Sequence, residues 1–368
     1  MILDQDDRTV LTLDAGGTNF RFSAMRSGRQ LFEPISLPSA GHDLQLCLAN
    51  IRAGFTQARA RAGAVHAISF AFPGPTDYSL GIIGDLFNLP GFRGGVALGP
   101  MLEDHFSVPV FINNDGDLFV LGEALAGFLP EVNQALAAAA NPKRFRHLFG
   151  ITLGTGFGAG LVIDGRLFLG DNAAGAEIWC THNKLHPRCS AEEGVSIRAV
   201  RRVYAEKAGL PQDQAPEPKE IDRIARQDQG VPGQAAREAF RCLGEVAGDA
   251  LANAVTLVDA LIVVGGGLAG AGDFILPALV AEMNNPLQNL SGDPLPRTEL
   301  RSFNWEDEKQ RRDFLGAEVR CITVPGSGRT ISYDPLKRTA VGLSRLGTSH
   351  AVAVGAWAFA LQALDRHS

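Results

Sequence analysis

The chain lacks both long apolar segments and runs of basic residues. Every apolar stretch is interrupted by glycine or a charged residue before it reaches the ~20 residues that a membrane-spanning helix needs. Basic and acidic residues are interspersed and the formal net charge is −6, so we expect neither nucleic acid nor a membrane as a partner. With 45% hydrophobic and 20% charged residues, the composition is instead typical of a soluble globular enzyme.

Cysteine is scarce, and the N-terminus does not resemble a secretory signal. Residues 1–7 are polar and acidic, whereas a secretory signal is basic and then apolar. The cysteines are odd in number and mostly far apart in the sequence, at Cys47, Cys180, Cys189, Cys242 and Cys321. This pattern predicts reduced thiols and a cytoplasmic location.

Strand-like and helix-like segments alternate along the 368 residues, a length that suits two hydrophobic cores better than one. The apolar patterns predict strands at residues 9–14, 19–25, 65–72, 108–112, 147–153 and 260–264. They predict helices at residues 42–62, 116–126, 195–208, 235–258, 273–283 and 351–364. The alternation indicates α/β layers with a mostly parallel sheet in each half. Residues 284–337 are polar, and we expect one strand there, at 318–324, with loops or a hairpin elsewhere.

Both halves contain a strand, a Gly turn and a second strand. The first unit breaks at Gly16-Gly17 and resumes at Asn19, and residues 147–163 repeat the arrangement. The repetition predicts a duplicated architecture.

Three Gly turns follow predicted strands. They contain Asp14, Gly16, Gly17, Thr18 and Arg21; Gly154, Thr155, Gly156 and Gly158; and Gly265, Gly266 and Gly267. Because glycine has no Cβ, successive backbone N–H groups in such turns can enclose phosphate oxygens, and the two threonines add hydroxyl donors. Any one of these turns alone is more simply a tight turn, but the three together predict a phosphate-binding site.

The turns do not match two common nucleotide motifs. No Gly-Lys-Ser/Thr sequence follows them, as a Walker motif would require, and residues 154–160 lead into a strand, unlike the dinucleotide fingerprint. Asp14, at a strand end, is a candidate ligand of Mg²⁺ through water.

Asp115 is the candidate catalytic base. It follows a predicted buried strand and precedes a helix, beside Asn113 and Asn114. A carboxylate there can accept a hydroxyl proton while the amides bind a polyol. The alternative is that Asp115 caps the helix, a role that Asp and Asn fill well. Asp117, two residues further on, is expected to be a surface acid that complements the helix dipole.

These motifs resemble those of the ROK sugar kinases, in the hexokinase and actin superfamily. DAGGTNFR at residues 14–21 is similar to the first phosphate motif, LGTGFGAG at 153–160 to the second, and VGGGLAGAGD at 264–273 to the adenosine motif. FPGP at 72–75 and NLPGF at 88–92 resemble the sugar-side loops, and Asn114-Asp115 with Gly122-Glu123 resembles the catalytic motif. The motifs follow the family's order over most of the chain.

The resemblance implies a two-lobed α/β, actin-like ATPase (ribonuclease H-like) sugar-kinase fold, with domains at 1–126 plus 346–368 and at 127–345. It implies Asp115 as general base and a sugar site formed by Gly74, Asn88, Asn114, Glu177, His182 and Glu192. Glu193 is the alternative to Glu192 in a register shifted by one residue.

The chain departs from the family after Glu177. Many members carry a His and a Cys-rich zinc loop here, whereas this chain has the shorter CTHNKLHPRC at 180–189, and His182 is our substitute for the family's histidine. Cys180, His182, His186 and Cys189 could supply four zinc ligands. Their spacing matches no standard zinc motif, and we expect an unliganded surface loop.

The activity that the resemblance implies is ATP- and Mg²⁺-dependent phosphorylation of a glucose-like hexose at the 6-hydroxyl, by a homodimer. An N-acetylhexosamine kinase and a non-catalytic sugar-binding protein are alternatives, and an actin-like ATPase that uses no sugar is a third. The family's repressors carry a winged-helix domain before the first strand. Only about eight residues precede that strand here, which favours a kinase over a regulator.

Overall fold

The computed structural model describes residues 5–72, 76–84 and 90–367. In chain order the strands are β1 (Val10–Ala15), β2 (Asn19–Arg26), β3 (Arg29–Gln30), β4 (Ile35–Pro38), β5 (Ala67–Ala71), β6 (Thr76–Asp77), β7 (Ile82–Ile83), β8 (Val96–Ala97), β9 (Val110–Asn113), β10 (Leu148–Leu153), β11 (Phe157–Ile163), β12 (Arg166–Leu167), β13 (Leu261–Gly265), β14 (Leu287–Gln288), β15 (Pro294–Leu295), β16 (Arg301–Asn304), β17 (Arg320–Thr323), β18 (Thr330–Tyr333) and β19 (Arg338–Leu343).

The α-helices are α1 (Leu44–Ala62), α2 (Leu98–Phe106), α3 (Asp115–Ala126), α4 (Phe128–Ala138), α5 (Ile197–Ala208), α6 (Pro218–Gln227), α7 (Val231–Val258), α8 (Gly272–Met283), α9 (Glu308–Leu315) and α10 (Thr348–His367). The chain divides into two compact units. One comprises residues 1–127, 160–176 and 345–368, and the other comprises residues 128–159 and 177–344.

The first unit is built on a sheet of order β3-β2-β1-β5-β9, with β4 paired to β2. Strands β1, β5 and β9 run parallel, while β2 is antiparallel to β1 through the Gly16-Gly17 turn. Helix α1 covers one face with its apolar stripe, Cys47, Ile51, Phe55 and Ala58, which recurs every three or four residues.

Aromatic side chains fill the core between α1 and this sheet. Phe20, Phe22, Phe55, Phe70 and Phe72 are each at most 2% exposed. The Phe22 and Phe55 rings meet edge to face at 5.1 Å between centroids, the geometry that aromatic quadrupoles favour. Burying each ring contributes about 1.5–3 kcal/mol, so this cluster positions the strands that carry the site.

Helices α3 and α10 pack closely in the same unit because two glycines allow it. A Cβ on Gly122 would overlap the Ala351 carbonyl, and one on Gly355 would overlap the Leu118 carbonyl. Next to Gly122, the buried Glu123 carboxylate accepts hydrogen bonds from the Arg345 and Leu346 backbone N–H groups at 3.0 and 2.9 Å. The Gly-Glu pair therefore fixes α3 against the chain that enters α10.

The second unit contains most of a sheet of order β12-β11-β10-β13-β19-β16, in which β10, β13, β19 and β16 are parallel. Strand β13 is fully buried, as is usual for a central parallel strand. Residues 284–337 were predicted to be loop or hairpin apart from one strand, and that prediction is wrong in part. They also contain the sheet strand β16 and the helix α9, whereas β14–β15 and β17–β18 are two-stranded hairpins.

No helix within residues 5–72, 76–84 and 90–367 combines the length and the apolarity that crossing a membrane would require.

Candidate functional site

The carboxyl ends of β1, β5 and β9 bring two predicted site segments to one edge of the first unit's sheet. Leu11 pairs with Ile68, and Ala71 pairs with Asn113. Continuing the first register by three residues sets Asp14 level with Ala71. With neighbouring strands about 4.8 Å apart, the Asp14 and Asn113 backbones lie about 10 Å apart, on either side of β5.

The first Gly turn is held by a residue that the sequence did not identify. Ser39 is buried, and its hydroxyl donates to the Gly17 carbonyl at 2.7 Å while its N–H donates to the Thr18 carbonyl at 3.0 Å. A Cβ on Gly16 would lie 2.8 Å from the Asn19 carbonyl oxygen, whereas nothing lies within 4 Å of one on Gly17. Hydrogen bonds to Ser39 thus fix the turn, while the space beside Gly17 is open to a ligand.

Asp14 and Arg21 face each other across β1 and β2. They are paired residues of the antiparallel register, and both are exposed. A cavity of about 210 Å³ is lined by both side chains and by Ser349 and His350 of α10. The predicted Asp14 and Arg21 therefore share one polar, open surface.

Asp115 begins α3, but Asn114 performs the capping. The Asn114 Oδ1 accepts from Gly116 N at 2.7 Å, and Asp115 Oδ1 shares that donor at 2.8 Å. The residue is solvent-accessible, yet desolvation by its surroundings raises the pKa of the Asp115 carboxyl. The backbone hydrogen bond from Gly116 lowers that pKa by a smaller amount. The helix therefore has its cap without Asp115.

The interpretation of Asp117 as a surface acid is wrong. Its side chain is only 7% exposed, because the first turn of α3 is buried from Gly116 onwards. Sequence spacing alone did not reveal this burial, since α3 is apolar on nearly every side and has no polar face to place Asp117 on.

The second and third Gly turns lie at one edge of the second unit's sheet. Thr152 pairs with Gly265 in the parallel register of β10 and β13, so the chain after each strand emerges at the same level. Gly266 has φ +91°, and a Cβ there would overlap the Leu153 backbone. Nothing lies within 4 Å of a Cβ on Gly154 or Gly267. Both turns thus leave open space beside their backbones.

Glu192, predicted to bind sugar, contacts the second Gly turn. Its Oε2 accepts from Phe157 N at 3.1 Å and lies 2.7 Å from where a Cβ on Gly156 would be. Arg198, which the sequence did not single out, donates to Glu192 Oε1 at 2.8 Å and to the Thr155 carbonyl at 3.3 Å. The only sequence signal for Arg198 is its place in the first turn of α5.

The short turn that contains Glu177 and His182 contacts the short turn that contains Glu192. Ala191 N donates to the Thr181 carbonyl at 2.7 Å, and His182 forms a β-bridge with Ser190. Glu177 and His182 are both exposed. The predicted sugar-binding residues of the second unit therefore share one surface region.

The loop at 180–189 is organised by Asn183. This fully buried side chain accepts from Leu185 N at 3.0 Å and from His186 N at 3.1 Å. Cys180 and Cys189 are free and exposed. Over the part of the chain that the structure describes, no three His, Cys, Asp or Glu side chains group as metal ligands would.

A cavity of about 180 Å³ adjoins the third Gly turn. It is lined by Gly267 and Gly270, by Phe240, and by Lys219 and Asp222 of α6. Phe240 is itself fully buried and stacked on Phe274, so the cavity's accessible surface comes from the glycine backbone and the polar side chains of α6. Two predicted sugar-site residues, Gly74 and Asn88, lie outside the described residues.

The sequence matches the ROK family model over residues 10–303. The chain belongs to the ROK family. Its structure is similar to that of a glucokinase from Parabacteroides distasonis, with 52% identity, a TM-score of 0.88, and coverage of 98% of this chain and 99% of that one. A ROK glucokinase from Streptomyces griseus, solved with glucose and AMPPNP, shares the fold at 21% identity and a TM-score of 0.59, covering 95% of this chain and 98% of that one.

Among curated relatives, the N-acetyl-D-glucosamine kinase of Aliivibrio salmonicida is 28% identical over 45% of this chain, and the match spans about half (50%) of that kinase. The predicted α/β, actin-like sugar-kinase fold is confirmed by the structural likeness to these kinases. The duplicated strand–turn–strand units are the neighbouring strands β1–β2 and β10–β11, each pair joined by a Gly turn.

Proposed function

We propose that this chain, a sugar kinase of the ROK family, transfers the γ-phosphoryl group of ATP to the 6-hydroxyl of a glucose-like hexose. The observation that carries the proposal is Asp115. Asp115 is solvent-accessible, its surroundings raise the pKa of its carboxyl, and it shares a sheet edge with the open Gly turn that follows Asp14. Phosphoryl transfer requires a positioned acceptor and charge stabilisation more than covalent catalysis, and this arrangement supplies both.

Asp115 is the general base of the proposed reaction. A carboxylate with a raised pKa is a stronger base than an ordinary Asp, so it can take the hydroxyl proton as the oxygen attacks phosphorus. Asn114, half-buried beside it, fixes the helix start with its Oδ1 and leaves its Nδ2 to donate to a sugar hydroxyl. In the second unit, Glu177, His182 and Glu192 are the proposed acceptors of the remaining hydroxyl groups.

ATP fits the residues present. Gly17, Gly154 and Gly267 each expose backbone beside empty space where a side chain would block approach of a phosphate. We assign adenine to the cavity beside Gly267 and Gly270, because these glycines belong to the segment that resembles the family's adenosine motif. When bound, ATP supplies the phosphoryl group, and Thr18 and Thr155 add hydroxyl donors to its oxygens.

Mg²⁺ fits Asp14 as a water-mediated ligand. The Asp14 carboxylate is exposed and has no hydrogen-bond partner among the described residues, so its oxygens can bind metal-coordinated water. Mg²⁺ neutralises phosphate charge when it is present. The protein's part is one carboxylate, which agrees with the lack of a multidentate cluster in the described residues.

An N-acetylhexosamine is the second candidate substrate, favoured by the likeness to an N-acetyl-D-glucosamine kinase. We also propose a homodimer. The hairpins β14–β15 and β17–β18 expose Leu287, Leu290, Ile322 and Ile331, which a second copy would cover.

A coupled assay of ADP formation tests the proposal with glucose, N-acetylglucosamine, N-acetylmannosamine and no sugar. We expect turnover that requires both MgATP and sugar, with the highest kcat/KM for glucose. A higher kcat/KM for an N-acetyl sugar would favour the second candidate. ATP hydrolysis that no sugar stimulates would contradict a sugar kinase, as would sugar binding without turnover.

A further inference from the structure

A concave surface of the second unit gathers basic side chains at the end of the sheet opposite the Gly turns. It has a volume of about 310 Å³, and we call it the basic recess. Its lining includes His147 and five Lys or Arg residues, which are Lys143, Arg144, Arg146, Lys337 and Arg338. Asp259 is the one carboxylate that the described residues contribute to this lining.

The fold explains where these residues meet. Residues 143–147 precede β10, Arg338 is the first residue of β19, and Asp259 lies just before β13. Because β10, β13 and β19 are parallel, their amino ends share one edge of the sheet. Strand β10 has six residues, so the recess and the Gly154 turn are separated by about 20 Å.

Lys337 and Arg338 are each paired with a carboxylate of this unit. Arg338 and Asp334 form an ion pair in which both side chains are buried. Lys337 pairs with Glu299 at 2.9 Å, with both groups exposed. These two positions therefore add little net charge.

Lys143 and Arg144 have no such partner. The Lys143 ammonium donates to the Leu336 carbonyl, and the Arg144 guanidinium donates to the carbonyls of Asn141 at 2.7 Å and Lys143 at 2.6 Å. In the described ranges, neither side chain forms an ion pair. Positive charge is thus concentrated here in a chain whose net charge is −6.

The environment of Lys143 is unfavourable for its charge. Burial lowers the pKa of this ammonium, and repulsion by Arg338 lowers it further, while Asp334 and Asp259 oppose the shift. An anion in the recess would reverse the repulsion, and partial burial would reduce the screening of that attraction by solvent.

We propose that the basic recess binds a small phosphate monoester. Guanidinium groups match phosphate oxygens in a bidentate geometry, and a lysine adds a point charge. Phe145 and Leu300 also line the recess, and the Phe145 ring is stacked on Phe314 at 5.7 Å between centroids. This apolar wall would contact the organic part of the ester. The proposal does not rest on the kinase activity, because none of these residues belongs to the proposed active site.

Calorimetry at constant ionic strength tests the proposal on the full chain, with inorganic phosphate and glucose 6-phosphate as separate titrants. We expect Lys143→Gln and Arg144→Gln each to weaken the binding of both titrants at the basic recess about tenfold or more. Each substitution removes a charge-assisted hydrogen bond to the phosphate group. The matched control is Arg223→Gln, because Arg223 is an exposed arginine of the same unit that is paired with Glu220. This variant should bind phosphate and glucose 6-phosphate as tightly as the wild type. Tighter binding of glucose 6-phosphate than of phosphate would support the apolar wall.

Hydrogen exchange locates the bound ligand independently of the active site. With glucose 6-phosphate present, exchange of the backbone amides at 143–148 should slow in the wild type and in Arg223→Gln. It should not slow in Lys143→Gln, whose melting temperature should match that of the wild type. Equal affinity in all variants, or protection confined to the Gly turns, would overturn the proposal.

Discussion

At the scale of single residues, the structure distinguishes the helix cap, Asn114, from the candidate catalytic base, Asp115, which the sequence alone did not separate. The sequence could place a carboxylate after a strand, but a cap and a base have the same pattern there. The hydrogen bond from Gly116 N to Asn114 at 2.7 Å separates them, since the cap lies one residue before the acid. Ser39 and Arg198 were not predictable, because each acts through a tertiary contact with a turn more than twenty residues away.

The raised pKa of Asp115 predicts a pH dependence of stability. A carboxyl whose folded pKa is raised stabilises the fold while it is protonated, and this stability is lost as pH rises from the unfolded pKa through the folded one. Asp115→Asn should therefore melt above the wild type at neutral pH, with the difference vanishing below pH ~4. Thermal melts across pH measure this. A variant less stable than the wild type at neutral pH would instead indicate a stabilising carboxylate.

At the scale of elements, burial of polar residues explains which strands the sequence missed. In β16 and β19, Ser302, Asn304, Arg338 and Thr339 are at most 6% exposed. Tertiary hydrogen bonds hold both strands, such as that from Thr339 Oγ1 to the Ala260 carbonyl at 2.7 Å and that from Ser302 N to Asn284 Oδ1 at 3.0 Å. A hydrophobic pattern cannot signal such strands. By contrast, β1, β5 and β13 are mostly apolar, largely buried segments that end at turns, and the sequence predicted them.

Because α3 and α10 are in close contact, we expect that adding one methyl group between them lowers the free energy of unfolding. Helix propensity alone would make Gly355→Ala stabilising by about 1 kcal/mol. Since the new Cβ would overlap the Leu118 carbonyl, we expect net destabilisation of about 1–3 kcal/mol, together with lower kcat because α3 carries Asp115. Denaturant unfolding and turnover measure both effects. The control is Gly316→Ala, where a Cβ would meet no atom closer than 3.5 Å. Equal stability of the two variants would contradict the packing.

From the structure of the loop at 180–189 we expect that protein purified without added metal contains no stoichiometric zinc. Its hydrogen bonds to the buried Asn183 already close the turn, so Asn183→Ala should destabilise the protein more than Cys189→Ser. Elemental analysis and thermal melts test these expectations. One zinc per chain that is lost in Cys189→Ser would refute them.

At the scale of the whole molecule, the order of the Gly motifs carried more information than any one motif. Each turn alone is an ordinary structural feature, but together they predicted two related sheets with turns at their carboxyl edges, and both sheets are present. The grouping of residues 160–176 with the first unit was less predictable. Strand β11 is continuous across residue 160, so no break in the pattern marks the change. The predicted sugar-binding roles stay predictions.

The matched control for the catalytic base follows from the structure. Asp117 is buried and unsuitable, whereas Asp43 caps α1 in the same unit by accepting from Leu46 N at 3.0 Å. Replacing Asp43 by Asn preserves a cap, since Asn and Asp are about equally good at that position.

The most direct test of the central claim is therefore kcat for sugar-dependent ATP consumption in Asp115→Asn and Asp43→Asn. If Asp115 is the base, its variant should lose about 10²–10⁴-fold in kcat while sugar affinity, measured by calorimetry, changes little. Asp43→Asn should retain wild-type turnover. Near-normal turnover in Asp115→Asn would contradict the assignment of Asp115 as the catalytic base.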